Sequence, residues 1–171
     1  MRQAVRVLLL GDTHGALDAR VLALARRCDL AVHAGDVGNA GVLDALRAAC
    51  GTVQAVRGNN DVAGKWPAAQ APRLAALPLS LHLQLPGGVL AVEHGDRAAA
   101  AVRHARLRRD HAAARAVLYG HSHRLLIDTG ARPWLLNAGA AGRARTHGGA
   151  SCLVLHATTR SWRVQARRFP T

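Results

Sequence analysis

A chain of 171 residues, half of them hydrophobic, is long enough for one domain with a sizeable core and short for two, so residues 1–171 are read as a single domain. The 23 basic residues outnumber the 10 acidic ones, giving a formal charge of +13 that favours polyanionic partners only if it is concentrated on one face. Cys28, Cys50 and Cys152 lie far apart without C-x-x-C spacing, which argues against a disulfide framework or a thiolate zinc site and leaves them as buried thiols.

The chain begins basic and then turns apolar, but the apolar run stops at Gly11-Asp12, short of a signal-peptide core or a membrane span. A cytoplasmic protein with no membrane contact is expected. Residues 4–10 are continuously apolar, as suits a central strand covered on both faces. Residues 17–27 carry Leu17, Val21, Leu22, Leu24 and Ala25 at helical spacing, and residues 30–34 form a second apolar strand ending in Gly35-Asp36. The pattern repeats with a helix over 42–50, a strand over 52–56 and the turn Gly58-Asn59-Asn60-Asp61. Three parallel strands in βαβ connection follow.

Prolines 67, 72 and 78 break up residues 62–78 into a loop with one short helix at most. Residues 79–85 and 89–92 flank Pro86-Gly87-Gly88 as a hairpin whose second arm ends in Glu93-His94-Gly95-Asp96. Residues 97–115 read as a helix with a solvated basic face, His104 and His111 among its exposed positions. All but one of the basic residues are arginine, a bias that drift also produces, and three Trp, one Tyr and one Phe are too few for a base-stacking platform. A nucleic-acid role is therefore weakly supported. The apolar run 116–119 leads into Gly120-His121-Ser122-His123, and short strands over 125–128, 134–137, 151–156 and 162–168 suggest a second, mainly antiparallel sheet. His33, His82 and His156 sit in strand-like runs and read as core or edge histidines.

The strand exits present Asp12, His14, Asp36, Asn59, His94, His121 and His123. Side chains just past the carboxyl ends of parallel strands converge on one edge even when distant in sequence. Crowded carboxylates repel one another unless cations sit among them. A mixed nitrogen and oxygen donor set suits manganese, iron, zinc or nickel. Seven donors exceed the needs of one ion and match two if one carboxylate bridges.

Asp12-Thr13-His14, Gly35-Asp36, Gly58-Asn59-Asn60-Asp61, His94-Gly95 and Gly120-His121-Ser122-His123 together resemble the five ordered motifs of the calcineurin-like metallophosphoesterase superfamily. The length and Asn137-Ala138-Gly139-Ala140, followed by Arg143, are most similar to its small bacterial and archaeal phosphodiesterases. The resemblance implies an α/β four-layer sandwich with two mixed β-sheets flanked by helices. It implies two divalent ions, manganese first among the candidates, with Asp12, His14 and His123 on one, Asn59, His94 and His121 on the other, and Asp36 bridging. It further implies phosphodiester hydrolysis by a metal-bridging hydroxide, with ions about 3.5–4 Å apart. The substrate would be a small phosphate ester, including nucleotides, and a homo-oligomer is compatible with the family. A non-catalytic scaffold on the same fold, as in the retromer subunit, and a nuclease are the alternative readings. Two departures stand out: Asn60 replaces the histidine or cysteine at the leaving-group position, and Asp96 replaces a histidine after His94-Gly95. An asparagine cannot donate a titrating proton. Asp61 is expected to orient its loop, Arg57 and Arg143 are candidate phosphate contacts, and His147 has the reach to touch a substrate.

Overall fold

In the computed structural model, which describes residues 3–171, β1 (Ala4–Leu10) lies at the centre of the first of two five-stranded sheets. Met1 and Arg2, part of the basic start, lie outside the described residues. Val7 and Leu9 pack between the sheets while Leu8 and Leu10 pack under helices, and all four are fully buried. An uninterrupted apolar strand is what two covered faces require.

From there the chain forms α1 (Ala19–Ala25), β2 (Leu30–His33), α2 (Ala40–Cys50) and β3 (Val53–Ala55), with β2 parallel to β1 and β3 parallel to β2. α1 starts later than residue 17 because the Asp18 side chain accepts the Arg20 amide at 2.8 Å and so takes the N-cap position. Residues 62–78 fold into a 3₁₀ turn (Ala68–Gln70) running into α3 (Ala71–Ala75). Then come the hairpin β4 (Ser80–Leu85) and β5 (Gly88–Glu93), α4 (Ala100–Asp110), β6 (Ala116–Tyr119), β7 (Leu126–Asp128), β8 (Trp134–Asn137), β9 (Ala150–Thr158) and β10 (Trp162–Phe169).

The sheet orders are β10-β9-β1-β2-β3 and β4-β5-β6-β8-β7, both mixed. This corrects the expectation of a second, mainly antiparallel sheet from the final strands. β9 instead returns to the first sheet, antiparallel to β1 from Ala4↔Thr158 to Leu9↔Leu153. Its faces explain the choice: Leu153 and Leu155 join the core between the sheets, whereas Cys152 and Val154 join the core under α1 and α2. A third core, with Leu107, Val117 and Leu135, lies between the second sheet and α4. The layers are therefore helices, sheet, sheet, helix. Cys28 and Cys152 are buried free thiols, and Cys50 is partly exposed. Among the described residues no helix is long and apolar enough to cross a membrane.

The basic stretch departs most from expectation. α4 is shorter than 97–115, and its arginines are largely engaged within the protein. Arg103 is buried and donates to the carbonyls of Gly95 at 2.7 Å and Ala98 at 3.2 Å. Arg106 pairs with Glu93 and Asp110, Arg108 pairs with Asp128, and Arg115 stacks over Trp134 and Trp162. His111 is buried and His104 half-buried, so neither is fully solvated. His104 Nε2 meets the Tyr119 hydroxyl at 2.7 Å, and buried His111 meets Glu93 at 2.9 Å and His82 at 3.2 Å. The helix uses its charge to neutralise the buried end of β5.

Candidate metal centre

The exits of β1, β2, β3, β5 and β6 bring all seven expected donors together. Their polar atoms form a closed ring. Starting from Asp12 Oδ1, His123 Nε2 lies at 3.6 Å, and His123 Nε2 faces His14 Nε2 at 3.1 Å. His14 Nε2 is 3.7 Å from Asp36 Oδ2, which is 3.4 Å from His94 Nε2. His94 Nε2 and His121 Nδ1 each lie 3.0 Å from Asn59 Oδ1, and the His121 amide donates back to Asp12 Oδ1 at 3.2 Å. Within the ring, Asp12 with His14 and His123, and Asp12 with Asp36 and His94, present donor atoms within 4.8 Å of one another.

The backbone is bent to make this possible. Asp12, His14, Asp36, His121 and His123 all adopt positive φ, between 47° and 68°. Non-glycine residues held in the left-handed region cluster at functional sites. Glycine is required beside them: a Cβ on Gly58 would overlap the Asp36 carboxylate, and one on Gly35 would sit 2.7 Å from His94 Nδ1.

A second tier of contacts holds the ring. Asp61 accepts amides from Val37 at 3.1 Å, Gly38 at 2.9 Å and Gly58 at 2.8 Å, and the Trp66 indole N–H at 2.9 Å. It orients its loop, as expected, and its oxygens are fully used. Buried His33 takes the Gly35 amide on Nδ1 at 3.2 Å and meets Thr13 Oγ1 at 2.8 Å, while Thr13 donates to Val37. Asn137 donates to the Gly120 carbonyl and Ser122 Oγ, both at 3.0 Å, fixing the His121-Ser122-His123 loop. Two ring histidines have Nδ1 on a backbone carbonyl, His94 on Ala34 at 2.8 Å and His123 on Ala144 at 3.0 Å. That contact puts the Nδ1 proton on the carbonyl and leaves Nε2 as the atom that points inward, the arrangement of metal-ligating histidines.

Electrostatics mark the ring as incomplete. Asp12 is fully buried, its Oδ2 has no hydrogen-bond partner among the described residues, and burial pushes its carboxyl up to about 7. Burial also lowers His14, His121 and His123, the last to about 4, which keeps their lone pairs free. Asp36 resists its burial because contacts from His94 and Asn60 hold it well below the usual carboxylate range. Burial disfavours charge on His94, but Asp36 and Asp12 outweigh it and raise the imidazole to about 9. An orphaned buried carboxylate oxygen in one cluster with three imidazoles that burial keeps neutral fits divalent cations.

Residues outside the metal set fall differently from expectation. Arg57 braces α3 by donating to the Leu74 carbonyl at 2.7 Å. Arg143 is exposed without a contact to the ring, whereas Arg145, two residues on, reaches His123 Nε2 at 3.1 Å. Asn60 donates from its amide to Asp36 Oδ1 and from Nδ2 to Asp36 Oδ2, both at 2.8 Å, and its Oδ1 accepts from Lys65. Lys65 is the only lysine in the chain, a signal that sequence reading passed over. With His14, Gly38 and Asp61, Asn60 and Lys65 line a small cavity of about 200 Å³ above the ring.

A calcineurin-like phosphoesterase superfamily domain matches residues 5–160, and the chain belongs to that superfamily. Solved structures agree in fold. An archaeal phosphodiesterase aligns with TM-score 0.70 at 14% identity, over 95% of this chain and 99% of its own. Vps29 from Chaetomium thermophilum aligns at 0.74 with 16% identity, over 96% of this chain and 97% of its own. Zn2+-bound Vps29 from Entamoeba histolytica aligns at 0.68 with 16% identity, over 96% and 98%. No curated protein sequence matches the chain.

Proposed function

We propose that this chain, acting as one domain, is a di-metal phosphodiesterase. Asp12, His14 and His123 would hold one ion, Asn59, His94 and His121 would hold the other, and Asp36 would be shared. The observation that carries the reading is the closed ring of seven donors together with the buried, orphaned Asp12 Oδ2. Asp36 Oδ2 stands between His14 and His94, one donor from each half, where a shared carboxylate belongs. The mixed donors favour manganese, with iron, zinc and nickel as alternatives.

When bound, two divalent ions supply charge for the phosphoryl oxygens and activate the attacking water. The chain's own residues do the rest. The Asn60 amide group and the Lys65 ammonium border the cavity above Asp36, so a departing oxygen on that side meets a neutral donor and a fixed positive charge. Asn60 has no titrating proton to give, which favours substrates with good leaving groups. Arg145 adds positive charge beside His123.

The test is hydrolysis of bis(p-nitrophenyl) phosphate by protein purified without metal and reloaded with manganese. Activity that disappears on chelation supports the reading. Inactivity with manganese, iron, zinc and nickel alike overturns it and favours the protein-binding scaffold suggested by the Vps29 likeness. The nuclease reading, which rests on the basic charge of the chain, gains nothing from α4, whose Arg103, Arg106 and Arg108 are engaged within the protein.

A further inference from the structure

Beside the metal edge lies a larger cavity, about 620 Å³, a size typical of small-ligand sites. It shares a loop with the ring, because Ser122, flanked by His121 and His123, forms part of its wall. Half-buried Leu125 and Leu126 make another wall apolar.

Its charge is one-sided. Arg124, just past the His121-Ser122-His123 loop, and Arg168, near the end of β10, both line the cavity, and neither guanidinium has a hydrogen-bond or ion-pair partner among the described residues. No carboxylate lines it among those residues. Arg103 on the same cavity is by contrast consumed by the Gly95 and Ala98 carbonyls. Unengaged arginines from distant segments, converging on one half-apolar space without counter-charge, suit an anion bound to an organic ring. His147 adds a donor from a loop residue held at φ 48°.

We infer that this cavity receives a nucleotide arm of the substrate, with its ring against Leu125 and Leu126 and a second phosphate on Arg124 and Arg168. The substrate class is then a nucleotide-bearing phosphodiester that carries a further phosphate. This rests on the phosphodiesterase reading, and binding in the absence of metal separates the two.

The experiment is calorimetric titration of the full chain in chelator with AMP, adenosine and inorganic phosphate. AMP is expected to bind at least about tenfold more tightly than either fragment, since ring and charge contribute together. The double variant Arg124→Gln/Arg168→Gln should lose that preference, while Arg160→Gln, an exposed arginine elsewhere, retains it. With manganese-loaded enzyme, the double variant should raise KM for a 5′-phosphorylated dinucleotide more than for bis(p-nitrophenyl) phosphate. Equal binding of AMP and phosphate, no binding of AMP, or equal weakening by Arg160→Gln would overturn the assignment. Diester hydrolysis without AMP binding refutes the cavity alone, and AMP binding without hydrolysis by any metal refutes the phosphodiesterase reading.

Discussion

Glu93 and His94 are neighbours at the end of β5, both buried, yet they face opposite circumstances. Glu93 turns to α4, where Arg106 and His111 complete its hydrogen bonds and, against its burial, draw its carboxyl down to about 2. His94 turns to the metal edge, where the nearby Asp12 Oδ2 has no partner among the described residues. The same residue types thus build a closed network on one side and an open one on the other. A closed network serves stability, and an open one needs a cation from outside.

If that distinction holds, mutations on the two sides should separate activity from stability. Asp36→Asn should remove about 1,000-fold or more of diester hydrolysis, because several kcal/mol of transition-state stabilisation go with the shared carboxylate. His121→Ala should behave likewise, and circular dichroism should report an intact fold for both. Substantial activity in either variant breaks the comparison from the open side.

On the closed side, Arg106→Ala should lower unfolding free energy by about 3 kcal/mol, the lower end for breaking a buried pair, since His111 still holds Glu93. Urea denaturation reads this, and kcat should stay close to wild type. Because Glu93 titrates far below its ordinary value, its contribution is present above about pH 4.5 and fades as pH falls towards 2.

Asn60→His sharpens the account of the open side. A positioned general acid is worth about 100-fold or more, so the variant should raise rates on alkyl leaving groups by that order and barely change nitrophenyl ones. The ratio of alkyl to aryl rates is the measurement, and an unmoved ratio removes Asn60 from the leaving-group position.

The pH response of metal-free protein is a smaller effect. His94 titrates near 9 in the fold against 6.5 ordinarily, so its contribution is fully present below pH 6.5 and is lost as pH rises through 9. Asp12, raised to about 7, also loses stability with rising pH, over roughly pH 4 to 7, a range in which the depressed His33 and His123 act in the opposite sense. Stability in chelator should therefore fall between pH 7 and 9 by about 2 kcal/mol. Manganese affinity should rise over the same interval, because binding displaces those protons. A His94→Asn variant should flatten the first curve. Smallest of all, nucleic-acid binding should be weak and nearly independent of salt. A steep salt slope that Arg108→Gln reduces would return α4 to that role.

Much of this was legible in the sequence because it depends on what each strand covers and where it ends. The unbroken apolarity of Leu8, Leu9 and Leu10 announces a strand buried on both faces, and the polar residue after each such run marks the edge where Asp12, Asp36, His94 and His121 meet. Periodicity encodes faces and not partners, so it could not say that β9 pairs with β1. Nor could it find the contacts of His104 and His111, since their partners Tyr119, His82 and Glu93 come from other elements. Lys65 and Arg145 were missed for a related reason: long flexible side chains reach Asn60 and the ring residue His123 from loops that carry no periodic signal.

The central claim is that the open network holds two ions on one shared carboxylate. Anomalous diffraction from crystals of manganese-loaded protein tests it most directly. The account predicts two peaks at the strand-exit edge, both within bonding distance of Asp36, one beside His14 and His123 and the other beside His94 and His121. A single peak, or ions bound away from Asp36, would contradict it.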